Sequence, residues 1–162
     1  MSVKEPVAGL AVAVVREDGR WRCGALDTDA LTNLDAAITA LGKLRSTGAV
    51  FALLAVDDEF FVIVRPSPRG PSLLLSDASA ALDYDIAADV LDVLRVDFPE
   101  DADDAIWPEG DLEILADVGL PAPELEVIAG EEDLYPDEQL QMIAQRCGFA
   151  DEFGALLDEA DG

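Results

Sequence analysis

The chain has 162 residues, 51% of them hydrophobic, with 35 acidic against 10 basic side chains and a net charge of −25. That length suits one domain, or a small domain with an appendage, and the apolar fraction is large enough to build a core, which excludes wholesale disorder. A chain this anionic repels nucleic acid and anionic lipid, so its complementary partners are basic protein surfaces or cations.

The charge is unevenly spread. Residues 1–96 carry 14 acids and 9 bases, whereas residues 97–162 carry 21 acids and the single base Arg146. The break predicts a sheet domain over 1–96, an acidic linker over 97–106 and an acidic helical module over 107–162. Cys23 and Cys147 lie in different halves without CxxC spacing, so they signal neither a zinc site nor a disulfide framework. The apolar run Val7–Val15 is too short to cross a bilayer and leads into Arg16-Glu17-Asp18 with no cleavage site. A cytoplasmic protein with reduced thiols and no membrane contact is expected.

In chain order, Val7–Arg16 is predicted as a strand ended by Asp18-Gly19, a hairpin signal, with Arg20–Ala25 returning beside it. From Asp29 to Arg45 the leucines recur at helical steps, with Asp27, Thr28 and Asp29 as candidate N-caps. The continuous run Ala49–Val56 predicts a buried central strand; Asp57-Asp58 turns it into Glu59–Arg65, and Ser72–Leu75 is a fifth strand after a proline-rich loop. Ser76-Asp77 caps a helical stretch over 78–95. The fold class is therefore α+β: a five-stranded, mainly antiparallel sheet in ββαβββα order, similar in topology to profilin, longin and roadblock domains. Short helices are then predicted over Asp111–Val118, Pro121–Ala129, Pro136–Cys147 and Ala150–Glu159, the first three stopped by Gly119, Gly130 and Gly148.

Little in the sequence carries chemistry. The absence of histidine removes Ser-His and Cys-His catalysis, and no glycine-rich phosphate loop follows a strand. The acids of Asp101–Asp104 alternate as in a calcium loop but lack its glycine and closing glutamate, so no metal and no cofactor is expected. Ile143–Phe149 resembles the opening of a helix-turn-helix. The following helix bears Asp151, Glu152 and Asp158 with no base reader, which excludes direct DNA reading. Arg65 and Arg69 flank the proline loop and either bind an anion or pair with nearby acids.

Four blocks, DEFFVIVRP (58–66), LLLSDASAALDYDIAADVLD (73–92), WPEGDLEILADVGLP (107–121) and DLYPDEQLQMIAQRCGFADEF (133–153), resemble the actinobacterial tRNA adenosine deaminase-associated proteins. The resemblance implies a role beside the deaminase that converts a wobble adenosine to inosine. It carries over no catalytic residue, and neither deaminase zinc signature, HxE or PCxxC, is present.

These observations lead to a non-catalytic binding protein that docks on a basic partner, with tRNA adenosine deaminase as the candidate. Trp107 is expected to pack at the junction of the two parts. In the sharper alternative it anchors the partner, with Asp101, Asp103, Asp104, Glu109 and Asp111 as steering charges. The competing reading is a homodimerising scaffold unrelated to tRNA modification, whose acidity serves solubility alone.

Overall fold

The computed structural model describes residues 9–44, 48–67, 70–95, 108–131 and 133–161. A hairpin of β1 (Gly9–Glu17) and β2 (Arg20–Ala25) opens the chain, joined by Asp18-Gly19 with φ of 54° and 76°, the left-handed pair of a type I′ turn. A 3-10 turn (Thr28–Leu31) precedes α1 (Leu34–Gly42). Then come β3 (Ala49–Val56), β4 (Phe60–Arg65), β5 (Ser72–Leu75), a second 3-10 turn (Ala78–Leu82) and α2 (Asp85–Leu94). The remainder supplies β6 (Glu109–Gly110), a 3-10 turn (Ala116–Val118), α3 (Ala122–Ala129), α4 (Pro136–Cys147) and α5 (Ala150–Asp161).

All strand pairs are antiparallel, in the order β2-β1-β3-β4-β5-β6. The expected sheet of five strands thus has six. The addition is the two-residue β6, which pairs Leu74 with Gly110 and Leu75 with Glu109, and two residues are too few to show a period in sequence. The two expected helical stretches are each divided. Asn33 interrupts the first and its side chain accepts from the Ala36 N–H, giving α1 its own cap; Asp77 caps the second 3-10 turn, and α2 starts only after Tyr84. The segment before Gly119 forms a single 3-10 turn instead of a helix from Asp111.

Strand alternation sorts the core into two layers. Ala11, Ala13, Ala52, Leu54, Phe60, Val62, Val64, Leu73 and Leu75 face α1, α2 and the 3-10 turns that precede them. Val12, Val14, Phe51, Leu53, Phe61, Ile63 and Leu74 face the opposite way, where Leu125 and Ile128 of α3, Leu140 and Ile143 of α4, Phe149 just before α5 and Phe153 within it meet them. The sheet is covered on both faces, so the acidic helices share their core with the strands although the charge changes sharply near residue 97. Phe60 and Phe61, adjacent in sequence, are buried in separate layers.

Burial sets the consequence of removing α3–α5. The seven sheet side chains of the second layer contribute about 2 kcal/mol each, which together match the roughly 5–15 kcal/mol net stability of an ordinary domain. A chain ended at residue 96 is therefore expected to aggregate and bind a hydrophobic dye, as read by light scattering and fluorescence. A monomeric fragment that unfolds cooperatively would instead make residues 1–96 a self-sufficient domain.

Candidate functional site

Of the residues picked out for partner binding, Trp107, Asp101, Asp103 and Asp104 lie outside the described residues. Glu109 opens β6 at the margin of the sheet and Asp111 directly follows it. Glu109 is half-buried opposite Leu75. Asp111 is exposed; its N–H donates to the Leu73 carbonyl at 2.8 Å and its carboxylate accepts from the Glu113 N–H at 2.9 Å. Gly110 between them has φ +118°, and a Cβ there would run into the Leu73 carbonyl. Only glycine allows the chain to join the sheet at that point.

Asp111 opens onto a cleft of about 370 Å³ that also contains Arg65, Ser72, Glu113 and Asp117. The Arg65 guanidinium grips Asp117 through two bonds, Nη1 to Oδ1 at 2.6 Å and Nη2 to Oδ2 at 2.8 Å, while Nη1 also donates to the Ile114 carbonyl at 2.8 Å. Of the two roles open to this arginine in the sequence, pairing is the one realised. The bidentate bond holds the Asp117 carboxyl below its ordinary range and raises Arg65, whose proton is further secured by Asp111. The grip ties the Ile114–Asp117 segment to the end of β4. Arg69 lies outside the described residues.

A larger cleft, about 460 Å³, lies where the β3–β4 turn, the end of β5 and the α3–α4 connection converge. Asp58, Glu59, Asp77, Glu131 and Asp133 line it with Tyr135 and, among the described residues, no cation. Asp77 and Tyr135 are fixed locally. Asp77 accepts from Ser79 N–H at 3.0 Å and Ser79 Oγ at 2.7 Å, the helix-start role read from sequence, while Ser76 Oγ accepts from the Phe61 N–H at 2.9 Å. Buried Gln139 donates to the Ile128 carbonyl at 2.7 Å, pinning the end of α3 beneath the connection. Tyr135 starts α4, its N–H held by the Glu138 carboxylate at 3.1 Å, and leaves 61% of its surface exposed.

The turn that presents Asp58 and Glu59 is built against local preference. Asp57 and Asp58 have φ of 48° and 57°. This left-handed pair is one that asparagine and glycine adopt at much lower cost. Five carboxylates beside an exposed aromatic ring make a surface chemically complementary to lysine or arginine side chains.

Other titratable groups are driven away from neutral pH. Burial pushes the half-buried Cys23 and Cys147 thiols up to about 12, helped at Cys23 by the charge of Glu152 and at Cys147 by that of Asp117, so neither is a nucleophilic thiolate. Tyr84, stacked on Phe60, rises to about 12 through burial and the adjacent Asp57. Among the described residues no group of three or more histidine, cysteine or acidic side chains has the geometry to hold a metal ion. None of their helices is long and apolar enough to cross a membrane.

Sequence reasoning fixed on Trp107 and passed over Trp21. The Trp21 ring lies 4.8 Å from Phe149 and 6.3 Å from Phe51, with the Arg16 guanidinium 5.3 Å above it. The tryptophan that ties helix to sheet among the described residues is thus in β2. Its alternation with Cys23 was the available signal.

Two outcomes follow from this geometry. Asp117 has a lowered pKa when folded, so its contribution is complete above the unfolded value of about 3.9. It disappears as pH falls through the lower folded value. Asp117→Asn should therefore cost about 0.5–1 kcal/mol at pH 7, as for other largely exposed pairs, and nothing at the acid end of a denaturation series. Replacing Asp57-Asp58 by Asn-Gly should stabilise the fold by about 1 kcal/mol, since the turn is unstrained for that pair. Thermal unfolding measures it, and a loss of stability would show that the aspartates earn their place by contacts within the fold.

Residues 9–150 match the family described as Rv3753c-like tRNA adenosine deaminase-associated protein. Protein Rv3753c of Mycobacterium tuberculosis (strain ATCC 25618 / H37Rv) is 60% identical over 163 residues, covering 97% of this chain and 94% of that protein. No solved structure matches the chain. The matched span runs from the first residue of β1 to the first residue of α5, taking in both layers of the core as well as the acidic cleft. On that extent of agreement, the chain belongs to the Rv3753c-like tRNA adenosine deaminase-associated protein family.

Proposed function

We propose that this protein is a non-catalytic accessory of tRNA adenosine deaminase, docking its acidic surface on a basic surface of that enzyme and thereby modulating it. The observation that carries this reading is the concentration of charge: 21 acids against one base over residues 97–162, in a family described as deaminase-associated. An enzyme that handles tRNA needs a cationic surface for its polyanionic substrate, and a protein of net charge −25 is complementary to such a surface. The cleft formed by Asp58, Glu59, Asp77, Glu131 and Asp133 supplies acceptors for its lysines and arginines, with Tyr135 as the aromatic contact. Trp107 and the acids Asp101, Asp103, Asp104, Glu109 and Asp111 belong to the same docking surface in this reading. Both proteins would then share the cytoplasm. Occupying a substrate-binding surface makes the accessory compete with tRNA, which is how it would modulate the enzyme.

The test is calorimetric titration of the purified protein into purified tRNA adenosine deaminase at about 50 mM and about 500 mM salt, across which the screening length falls severalfold. Association that weakens at least about tenfold at the higher salt, and again in a Glu131→Lys/Asp133→Lys variant, supports the reading. No binding at the lower salt overturns it. A salt-insensitive homodimer by light scattering would favour the scaffold instead.

A further inference from the structure

The sheet ends on one side at β2, whose chemistry differs from the rest of the surface. The two-residue turn makes Glu17 and Arg20 a mutually hydrogen-bonded pair; the register continues as Val15 with Arg22 and Ala13 with Gly24, and the Leu26 N–H reaches the Ala11 carbonyl at 2.9 Å. The backbone groups of Arg20, Arg22 and Gly24 therefore turn toward β1. Those of Trp21, Cys23 and Ala25 turn outward, and among the described residues β2 pairs with β1 alone. The strand carries neither proline nor bulge, two common means of blunting an edge.

The two sides of this edge are unlike. On one, Arg20 and Arg22 are exposed and the Cβ position of Gly24 opens onto empty space. Glu17 approaches Arg22 at 3.2 Å, but among the described residues no carboxylate lies within ion-pair distance of Arg20. On the other side, Trp21 is packed under Arg16 and Cys23 lies near the charge of Glu152. Three of the ten basic residues thus gather on one hairpin of a chain with 35 acids.

We propose that the β2 edge takes up an extended segment of a partner protein as an added strand, and that this segment carries carboxylates at alternate positions. Alternate spacing follows from the pleat: side chains two apart in the added strand lie on the Arg20–Arg22 side, and those between lie beside Trp21 and Cys23, where apolar residues fit. A second copy of this chain fits poorly. Antiparallel pairing of two β2 edges that keeps most of each strand engaged centres on either Arg22 or Cys23. The first register opposes two arginines across the axis, and the second draws the Glu152 side chains of both copies toward it. The proposal does not rest on the acidic cleft, and loss of either leaves the other standing.

The test uses the full chain and capped peptides of about eight residues that alternate glutamate with valine or lysine with valine. Amide hydrogen exchange is followed by NMR. The glutamate peptide should slow exchange at Trp21, Cys23 and Ala25 by at least about tenfold and leave Arg20, Arg22 and Gly24, already bonded to β1, unchanged. The lysine peptide should protect none of them. A doubly substituted Arg20→Ser/Arg22→Ser chain, its fold checked by thermal unfolding, should lose the protection. No protection by the glutamate peptide, or equal protection by both peptides, overturns the proposal. So does protection that appears without peptide and grows with protein concentration, which would make the occupant a second copy.

Discussion

Every residue from Phe51 to Val56 and from Phe60 to Val64 is buried, and the rest of the molecule follows from that constraint. Strands that are apolar on both faces cannot border water on either, so helices must lie above and below them. The first layer is supplied early, by α1 between β2 and β3 and by α2 after β5. The second needs a further length of chain, and α3–α5 provide it. Phe61 and Ile63 make the dependence concrete, since both are fully buried in the layer closed by those late helices.

The same constraint sends the acids outward. Helices that give one face to the sheet leave the other to solvent, and among the described residues of α3–α5 every charged group there except Arg146 is anionic. Repulsion is eased by position: Asp137 and Glu138 lie in the first turn of α4, Asp151 and Glu152 in that of α5, and Arg146 in the last turn of α4, where each charge agrees with the helix dipole. These placements moderate the energy of the charge without cancelling it. A surface kept this anionic is suited to a cationic partner, because association relieves the self-repulsion that folding alone leaves in place.

How much could be read from the sequence depended on how much of each signal was local. The bounds of β2, β3 and β5 and of α4 were legible because turn residues punctuate them: Asp18-Gly19, Asp57-Asp58, the proline loop, Pro136 and Gly148. The break at Asn33 was visible only as a capping residue inside a continuous leucine stripe, and the stripe outweighed it. β6 was illegible, since its pairing depends on a carbonyl of Leu73 more than thirty residues away. The acidic cleft was illegible for the same reason: its carboxylates come from three separate parts of the chain, and no one of those parts looks unusual alone. Acid-rich 97–106 drew the eye because its signal was contiguous.

The β2 edge and the acidic cleft carry opposite chemistry. At one margin the backbone groups of Trp21, Cys23 and Ala25 in β2 have no strand partner among the described residues; the carboxylates around Tyr135 gather instead where the β3–β4 turn and the end of β5 meet the α3–α4 connection. A rigid sheet covered on both faces keeps such surfaces apart, so they cannot neutralise one another by folding together. On the two proposals above, surfaces of opposite charge would be engaged by different segments, and each would discriminate against what the other accepts. The strained Asp57-Asp58 turn belongs to that division. A hairpin of Asn-Gly would close the same strands with an easier backbone but would remove the Asp58 carboxylate from the cleft and the Asp57 carboxylate that acts on Tyr84. The carboxylates at this turn therefore serve both the charge of the cleft, through Asp58, and a contact within the fold, through Asp57 and Tyr84.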